Sequence, residues 1–356
     1  MYYCGIDLGA KQSQVCIIDE SDGVRFEGKL PNDLSIIVKH LKRYRQEICI
    51  VLESTFNWDW IVYGLQRLGY SVTMAHTLAL KAISSAKVKT DKRDAYTLAR
   101  LHRAGMIPEA YIYPAAQRPI RDLLRRRWRI VRQRAEHLRS IRFMLYRQGH
   151  VTHTQADAKA MEREDLSDWF DDPDHIDLAG FDLDEIAHLD ETIRRFEKRL
   201  KEAAADWEGN HLKQLMTIPG VGIITALTIL IETGTIDRFE DGRRYSSYCR
   251  VVPGCANSSG VNTRGKNAKS KQGNPYLKWA FNMAACKAIQ FYPEYKMLYE
   301  RHLKRHKGKG GKPISINTIA HRIALVAYHV LKENEPYHKE KLFSSRDLRN
   351  AAKIGQ

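Results

Sequence analysis

Short apolar runs alternate with helical patterns in the first third of the chain. Alternating or continuous apolar residues predict strands at residues 2–7, 14–19, 24–29, 48–52 and 70–75. The run at 48–52 is apolar throughout, which is typical of a central strand covered on both faces. Helical spacing predicts helices at residues 34–44, 56–68 and 90–103, the last capped by Thr90. Strands interleaved with helices predict an α/β domain over residues 1–113.

Two long helical patterns follow this region. Residues 117–149 contain apolar positions at helical spacing and eleven arginines, which only Asp122 and Glu136 oppose within the same stretch. They predict one amphipathic helix with a strongly basic face. A connector rich in aspartate precedes a second helix at 183–207, whose apolar stripe has heptad-like spacing. We therefore predict a helical coiled-coil or dimerisation spacer over residues 114–208.

The remainder of the chain is predicted to be helical. Apolar helical segments flank Pro219-Gly220-Val221-Gly222, a pattern that predicts a helix–hairpin–helix. Further helices are predicted at 275–289 and 314–331, with a polar loop at 256–273. This gives a C-terminal domain at 209–333 and a polar tail at 334–356. The predicted fold class is α/β plus all-α.

The charge balance indicates a polyanionic partner. Lys and Arg total 58 and Asp and Glu total 42, a net charge of +16. The hydrophobic fraction of 43% is that of a globular protein and excludes a mainly disordered chain. Because we find no signal peptide and no apolar run of about 18 residues, we expect a cytoplasmic protein outside the membrane.

Four acidic residues are predicted at the ends of secondary-structure elements. Asp7 and Glu53 end apolar strands, whereas Asp91 and Asp94 lie one helical turn apart near a helix start. Carboxylates beside an apolar core need compensating positive charge, and Mg²⁺ is the usual ion where phosphates complete its coordination shell. Two such ions about 4 Å apart suit phosphodiester chemistry. The alternative for each acid alone is a turn residue or a helix N-terminal charge.

Three features of the remaining chain point to nucleic acid. Backbone N–H groups at Gly220 and Gly222 could bind a phosphate, unless they form a plain turn between helices. Ser258 or Ser259 could act as a nucleophile in a loop whose cations stabilise charge on phosphorus, although such a loop could simply bind phosphate. The predicted phosphate contacts are Arg264, Lys266, Lys269 and Lys271 in this loop, together with Arg118, Arg121, Arg125, Arg126, Arg129 and Arg132 on the basic helix.

These stretches together resemble a known family. Its N-terminal signature resembles Gly5-Ile6-Asp7-Leu8-Gly9, the strand ending in Glu53-Ser54-Thr55, and Thr90-Asp91-Lys92-Arg93-Asp94. Its C-terminal signature resembles residues 215–222, 248–253, Ser258-Ser259-Gly260, and Lys271-Gln272-Gly273-Asn274. The chain is identified from these motifs as a member of the DEDD transposases of bacterial insertion sequences, family one-ten. The resemblance covers about residues 1–333.

The resemblance implies an RNase H-like (RuvC-like) N-terminal domain, a coiled-coil spacer and a helical domain that carries a serine nucleophile. It implies Mg²⁺ at Asp7, Glu53, Asp91 and Asp94, and a covalent phosphoserine link to DNA. It also implies a structured guide (bridge) RNA that pairs with donor and target DNA, so that the protein reads RNA shape and base pairing reads sequence. The expected assembly is a homo-oligomer, a dimer or tetramer, associated with the bacterial nucleoid.

Two questions stay open at this point. Ser258 and Ser259 are both candidate nucleophiles, and we favour Ser259 because it directly precedes Gly260. The first function predicted is an RNA-guided recombinase that uses four carboxylates and a serine. The alternatives are a RuvC-like junction nuclease that uses metal and water, and a non-catalytic nucleic-acid-binding scaffold.

Overall fold

The structure is a computed structural model that describes residues 1–83, 91–150, 160–207, 209–252, 255–258, 261–264, 273–306, 308, 310–344 and 348. Residues 81–83, 91–92, 255–258 and 261–264 are described by their backbone alone. The chain divides into two compact units, Met1–Ala115 and Ala116–Gln356. Each unit is described by itself.

The first unit is built on a five-stranded mixed sheet with the strand order β3-β2-β1-β4-β5. The strands are β1 (Tyr2–Leu8), β2 (Gln12–Asp19), β3 (Val24–Pro31), β4 (Ile48–Glu53) and β5 (Ser71–Ala75). β1 pairs antiparallel with β2 and parallel with β4. The helices are α1 (Leu34–Leu41), α2 (Asp59–Arg67), α3 (Thr77–Ile83) and α4 (Asp91–Arg103). Every predicted strand is present, whereas α3 was not predicted.

Helices cover both faces of the sheet. Alternate residues of β1, Cys4, Ile6 and Leu8, join a core with buried side chains of α1 and α2. The other face packs against α4, where Cys16 and Ile18 of β2 contact Ala95 and Ala99. Period-two alternation on a buried strand therefore divides β1 between two helical layers.

The second unit is mostly helical. It contains α5 (Arg118–Arg147), α6 (Pro173–Ala205), α7 (His211–Met216), α8 (Ile223–Thr233), α9 (Gly242–Tyr248), the hairpin strands β6 (Cys255–Ser258) and β7 (Val261–Arg264), α10 (Pro275–Phe291), α11 (Pro293–Arg305) and α12 (Gly311–Glu333). One core joins buried residues of α5 and α6 with those of α7 to α12. The fold class predicted from the sequence, α/β followed by helical structure, is confirmed. The spacer and the C-terminal domain belong to one compact unit here, so their separation stays a prediction.

The two long helices α5 and α6 run antiparallel to each other. Arg127 Nε donates to Glu197 Oε1 at 3.0 Å, and Arg134 Nη2 donates to Asp190 Oδ2 at 2.8 Å. Moving seven residues forward along α5 therefore moves seven residues back along α6. This pairing lies within one chain, and the predicted coiled-coil dimerisation stays untested.

Part of the aspartate-rich connector predicted from the sequence forms the start of α6 and the residue that caps it. Asp172 caps α6, and its Oδ1 accepts hydrogen bonds from the backbone N–H groups of Asp174 at 2.9 Å and His175 at 3.4 Å. Pro173 follows as the first helical residue, where a missing N–H has no cost. The helix therefore begins ten residues earlier than the apolar stripe alone predicts.

One described helix, α12, is long and apolar enough to cross a membrane by length and composition. A helix was predicted here, at 314–331, but not as an apolar segment of membrane-spanning length, because charged and histidine side chains interrupt its apolar residues. Half of its apolar window is buried inside the structure. Its buried face includes Ile319, Ile323, Ala327 and Leu331, which belong to the core of the second unit.

The turn between α7 and α8 is a packing contact at Gly220. This residue has φ +82°, and a Cβ there would collide with the carbonyl oxygen of Ala284 and lie 2.7 Å from the Ala288 nitrogen. Gly222 is different, because it is exposed, has φ −89° at the N-cap of α8, and would leave a Cβ in open space. Gly220 is therefore required for close helix packing. That the backbone N–H groups of Gly220 and Gly222 contact a phosphate stays a prediction for both residues.

This difference between the two glycines predicts different mutational costs. Gly220→Ala should lower the free energy of unfolding by about 2–4 kcal/mol, because it adds both backbone strain and a backbone collision. Gly222→Ala is the matched control and should cost less than about 1 kcal/mol. Denaturant unfolding of both full-length variants measures the two values. Equal costs would contradict the packing assignment.

Candidate active site

Two of the four predicted carboxylates end neighbouring parallel strands. Gly5 pairs with Val51 in the register of β1 and β4, so Asp7 and Glu53 lie two residues further along, opposite each other. Neighbouring strands are about 4.8 Å apart, and both side chains leave the sheet on the face that carries α4. Both residues are half-buried.

The direction of α4 brings its first turn to the same edge. The ring of His102, near the end of α4, contacts the ring of Tyr3 at 6.0 Å between centroids. In the middle of the helix, a Cβ on Gly5 would meet Ala95, Leu98 and Ala99. α4 therefore runs antiparallel to β1, and Asp94 lies about 12 Å from His102 along the helix axis, which matches the rise from Tyr3 to Asp7.

The carboxylate edge has the donor chemistry that a hard divalent cation prefers. Asp7 and Glu53 lie at this edge, Asp94 lies in the first turn of α4, and Asp91 begins the same helix. Among the side chains that the structure describes, no three of His, Cys, Asp or Glu are close enough to hold a metal ion together. The assignment of the four ligands therefore stays a prediction.

The turn that follows Asp7 is fixed by two amide side chains that the sequence analysis did not select. Asn57 Nδ2 and Asn32 Nδ2 both donate to the carbonyl oxygen of Gly9, at 3.0 and 2.9 Å. Asn32 Oδ1 in turn accepts from the Ser13 hydroxyl at 2.5 Å. These bonds tie the residues that follow β3 and β4 to the turn after β1. The helix α2 begins at Asp59, three residues later than predicted.

The candidate nucleophiles lie in the second unit. Ser258 is the last residue of β6 and pairs with Val261 of β7, and both are described by backbone alone. Ser259 lies outside the described residues, as do Lys266, Lys269 and Lys271, while Arg264 ends β7. Their roles therefore stay predictions.

The basic helix α5 is not the unopposed charge surface that its sequence indicates. Besides Arg127 and Arg134, which pair with α6, Arg121 and Arg125 bind Glu232 of α8. Arg118 lies 3.6 Å from Asp122 in the same helix. Apart from Asp122, the acids that compensate these arginines come from elements distant in sequence, so counting charges along α5 overstates the free charge. Arg126, Arg129 and Arg132 are exposed and stay predicted phosphate contacts.

Glu232 is a fully buried carboxylate with several donors around it. Arg125 donates to it through Nε at 2.6 Å and through Nη2 at 2.9 Å, and Arg121 Nε donates at 3.3 Å. Asn274 Nδ2 donates to its Oε2 at 2.7 Å. Burial raises the pKa of Glu232, but these donors and charges outweigh burial, so the pKa lies below the ordinary value of 4.5. We call Glu232, Arg121, Arg125 and Asn274 the Glu232 cluster.

The Glu232 cluster was not predicted, although the sequence of α8 contains an indication of it. Glu232 is the only charged residue in the otherwise apolar helix α8. A single carboxylate in a buried apolar helix requires a paired cation, because an uncompensated buried charge is costly. The sequence does not show which of the many arginines supplies that cation.

Comparison with known proteins gives matches over both units. A DEDD transposase model of IS110 elements matches residues 4–148, which include all four predicted metal ligands. A second model, described as the transposase IS116/IS110/IS902 family, matches residues 212–300, which include both candidate serines. The chain belongs to the IS110 family of transposases. It is an enzyme that cleaves and rejoins DNA, and the scaffold alternative is therefore wrong.

Individual relatives agree with this assignment. The pilin gene-inverting protein of Moraxella bovis is 24% identical over 350 residues, which cover 95% of this transposase and 98% of the relative. The transposase for insertion sequence element IS1111A of Coxiella burnetii is 23% identical over 94% of this chain and 90% of its own. A putative transposase of Sinorhizobium fredii, y4qE, is 27% identical over 61% of this chain and 53% of its own.

The Glu232 cluster predicts a pH-dependent contribution to the stability of the transposase. Glu232→Gln should lower the free energy of unfolding by about 2–3 kcal/mol at neutral pH, somewhat less than for a fully buried pair because Arg125 is partly exposed. Because the pKa of Glu232 is lower in the folded chain, the wild-type advantage is complete above about pH 4.5 and shrinks as the pH falls below that value. Denaturant unfolding of both proteins from pH 7 to pH 3 measures this difference. A difference that does not change with pH would contradict the assignment.

Proposed function

We propose that this transposase is an RNA-guided DNA recombinase of an insertion sequence, with a serine nucleophile and Mg²⁺ held by Asp7, Glu53, Asp91 and Asp94. The observation that supports the proposal is the strand register, which brings Asp7 and Glu53 to the same end of two neighbouring strands, with the first turn of α4, which contains Asp94, at that edge of the sheet. DEDD transposases are typically metal-dependent, and the family match includes all four positions. Mg²⁺ at this edge would stabilise the attacking and leaving oxygens of a phosphodiester.

The serine chemistry conserves the phosphodiester bond. The hydroxyl oxygen of Ser259, or of Ser258, bonds to phosphorus, one DNA ester bond breaks, and the serine proton ends on the released DNA oxygen. Attack by a DNA hydroxyl reverses these changes and joins new DNA ends without an external energy source. One relative is named a pilin gene-inverting protein. Because inversion of a gene requires cut DNA to be rejoined, this name favours a recombinase over the alternative junction nuclease, which would leave hydrolysed ends.

The proposed binding partners are inferred from the family and from the net charge of the chain. The proposal includes double-stranded donor and target DNA, a structured guide RNA, and a homo-oligomer, a dimer or tetramer. An excess of 16 positive charges supports binding to polyanions. A DNA substrate agrees with the predicted cytoplasmic, nucleoid-associated location. Exposed Arg126, Arg129 and Arg132 on α5 are the proposed contacts to the nucleic-acid backbone.

The experiment combines the full-length transposase with Mg²⁺, DNA that carries an end of its element, and the adjoining non-coding transcript. A denaturing gel detects protein covalently bound to DNA. Ser259→Ala or Ser258→Ala should abolish this adduct, and Asp7→Ala should abolish both adduct and cleavage. Ser270→Ala, in the same polar segment, is the matched control and should retain the adduct. Cleavage that survives both serine substitutions, with no adduct in any protein, would favour the junction nuclease.

The exposed arginines of α5 predict a change in salt dependence. Replacing Arg126, Arg129 and Arg132 by Gln should reduce the slope of log binding constant against log salt concentration by about 2–3 for DNA, because each phosphate contact contributes about 0.9. Replacing Arg194, Arg195 and Arg199 on α6 by Gln makes the same charge change and should leave the slope unchanged. Filter binding between 50 and 300 mM salt measures both slopes. Equal slopes for the two triple variants would reject the α5 surface.

A further inference from the structure

The residues that flank the segment carrying the candidate serines are hydrogen-bonded to α9 and to α12. On the C-terminal side, the Asn274 backbone N–H donates to the Tyr248 carbonyl oxygen at 2.6 Å. On the N-terminal side, Val251 N–H donates to Ser246 O at 3.3 Å, and Asn317 Nδ2 donates to Val251 O at 2.7 Å. Val251 and Asn274, which flank residues 253–272, are thus held in place by hydrogen bonds to residues outside that segment.

Gly273 is fitted closely at the second of these ends. It has φ +93°, and a Cβ there would lie 2.5 Å from the Tyr248 carbonyl oxygen and 2.9 Å from Cγ of Arg250. A larger residue would displace the chain where it leaves the serine segment, so the path of the backbone at this end is sterically fixed.

Asn274 joins this end to the Glu232 cluster. Its Oδ1 accepts from the backbone N–H groups of Tyr276 at 2.9 Å and Leu277 at 3.2 Å, and so caps α10. Its Nδ2 donates to Glu232. Because a carboxylate can only accept hydrogen bonds, Glu232 fixes which edge of the amide faces α8 and which edge caps α10. Arg125 and Arg121 hold the carboxylate in turn.

We propose that Glu232 and Asn274 are positioning residues for the serine nucleophile. Through the amide of Asn274, Glu232 holds the C-terminal end of the serine segment in the arrangement that the first covalent step requires. This inference rests on the serine mechanism proposed above. It assigns a task to a buried acid that does not touch the DNA.

The composition of the cluster favours positioning over stability alone. A buried ion pair contributes little compared with apolar residues of the same volume, because desolvation offsets most of the attraction. Glu232 is 0% exposed, whereas Arg125 is 32% exposed. The cluster instead fixes the orientation of the Glu232 carboxylate, because several hydrogen-bond donors point at it, each with its own preferred geometry.

The test uses two single substitutions that should retain the fold. Asn274→Ser keeps a good helix cap for α10 but removes the donor to Glu232. Glu232→Gln removes the negative charge that Arg121 and Arg125 compensate and leaves an amide NH2 group facing at least one of the donors around this position. At saturating DNA and transcript, each variant should form the covalent adduct about 10- to 100-fold more slowly, as expected for a misplaced reactive group, with unchanged DNA binding.

The double variant Glu232→Gln with Asn274→Ser tests whether the two residues act through one contact. It should form the adduct no more than about threefold more slowly than the slower of the two single variants, because the second substitution removes a contact that is already lost. Asp190→Asn is the matched control: it removes a carboxylate from an ion pair between α5 and α6, away from the serine segment, and should lower thermal stability without slowing the adduct.

The outcomes separate the two proposals. An adduct in the wild-type protein that Asn274→Ser leaves at full rate would overturn the positioning role. The same holds for a double variant whose slowing equals the product of the two single effects, or for an Asp190→Asn variant that is slowed equally. A wild-type protein that cleaves DNA without any adduct would instead overturn the serine mechanism itself.

Discussion

The structure depends on close contact between a glycine and a helix lined by alanines, and this contact occurs in both units. In the first unit, Gly5 meets the backbone of α4 between Ala95 and Ala99. In the second, Gly220 meets the backbone of α10 between Ala284 and Ala288. In each case the alanines are four residues apart on one helix face, and the missing Cβ lets backbones touch. The first contact aims the start of α4 at the carboxylate edge, and the second seats α8, which carries Glu232.

The second constraint is the pairing of charges, because some arginines bind acids within the structure and others are exposed to solvent. The net charge of +16 suggests a uniformly basic protein, yet several arginines of α5 are bound to acids of α6 and α8. These pairs use part of the positive charge to hold helices together. Arg126, Arg129 and Arg132 are among the exposed arginines of the same helix and are the proposed contacts to a polyanion. The same helix therefore has a structural side and a side available to nucleic acid.

The sequence predicted local features well and long-range partners poorly. Period-two alternation located all strands of the first unit, and the placement of Asp7 and Glu53 at strand ends follows directly from it. The ion pairs of α5 could not be predicted, because Glu197, Asp190 and Glu232 lie 56 to 111 residues away in sequence. The packing role of Gly220 was not predicted, because a glycine needed for packing looks the same in sequence as one that presents its N–H to a phosphate. The aspartates near the start of α6 were predicted to form a connector, because an N-cap residue can be recognised only when the first residue of the helix is known.

The antiparallel pairing of α5 and α6 gives this part of the chain an adjustable length. Its ion pairs recur at matched seven-residue steps, from Arg127 with Glu197 to Arg134 with Asp190. Adding or removing seven residues in each helix would keep the same faces in contact, since seven residues make nearly two full turns. A change that does not make nearly whole turns, of five residues for example, would rotate one helix against the other and separate the charges. The length of this helical pair can therefore change in whole heptads while its paired faces stay in contact.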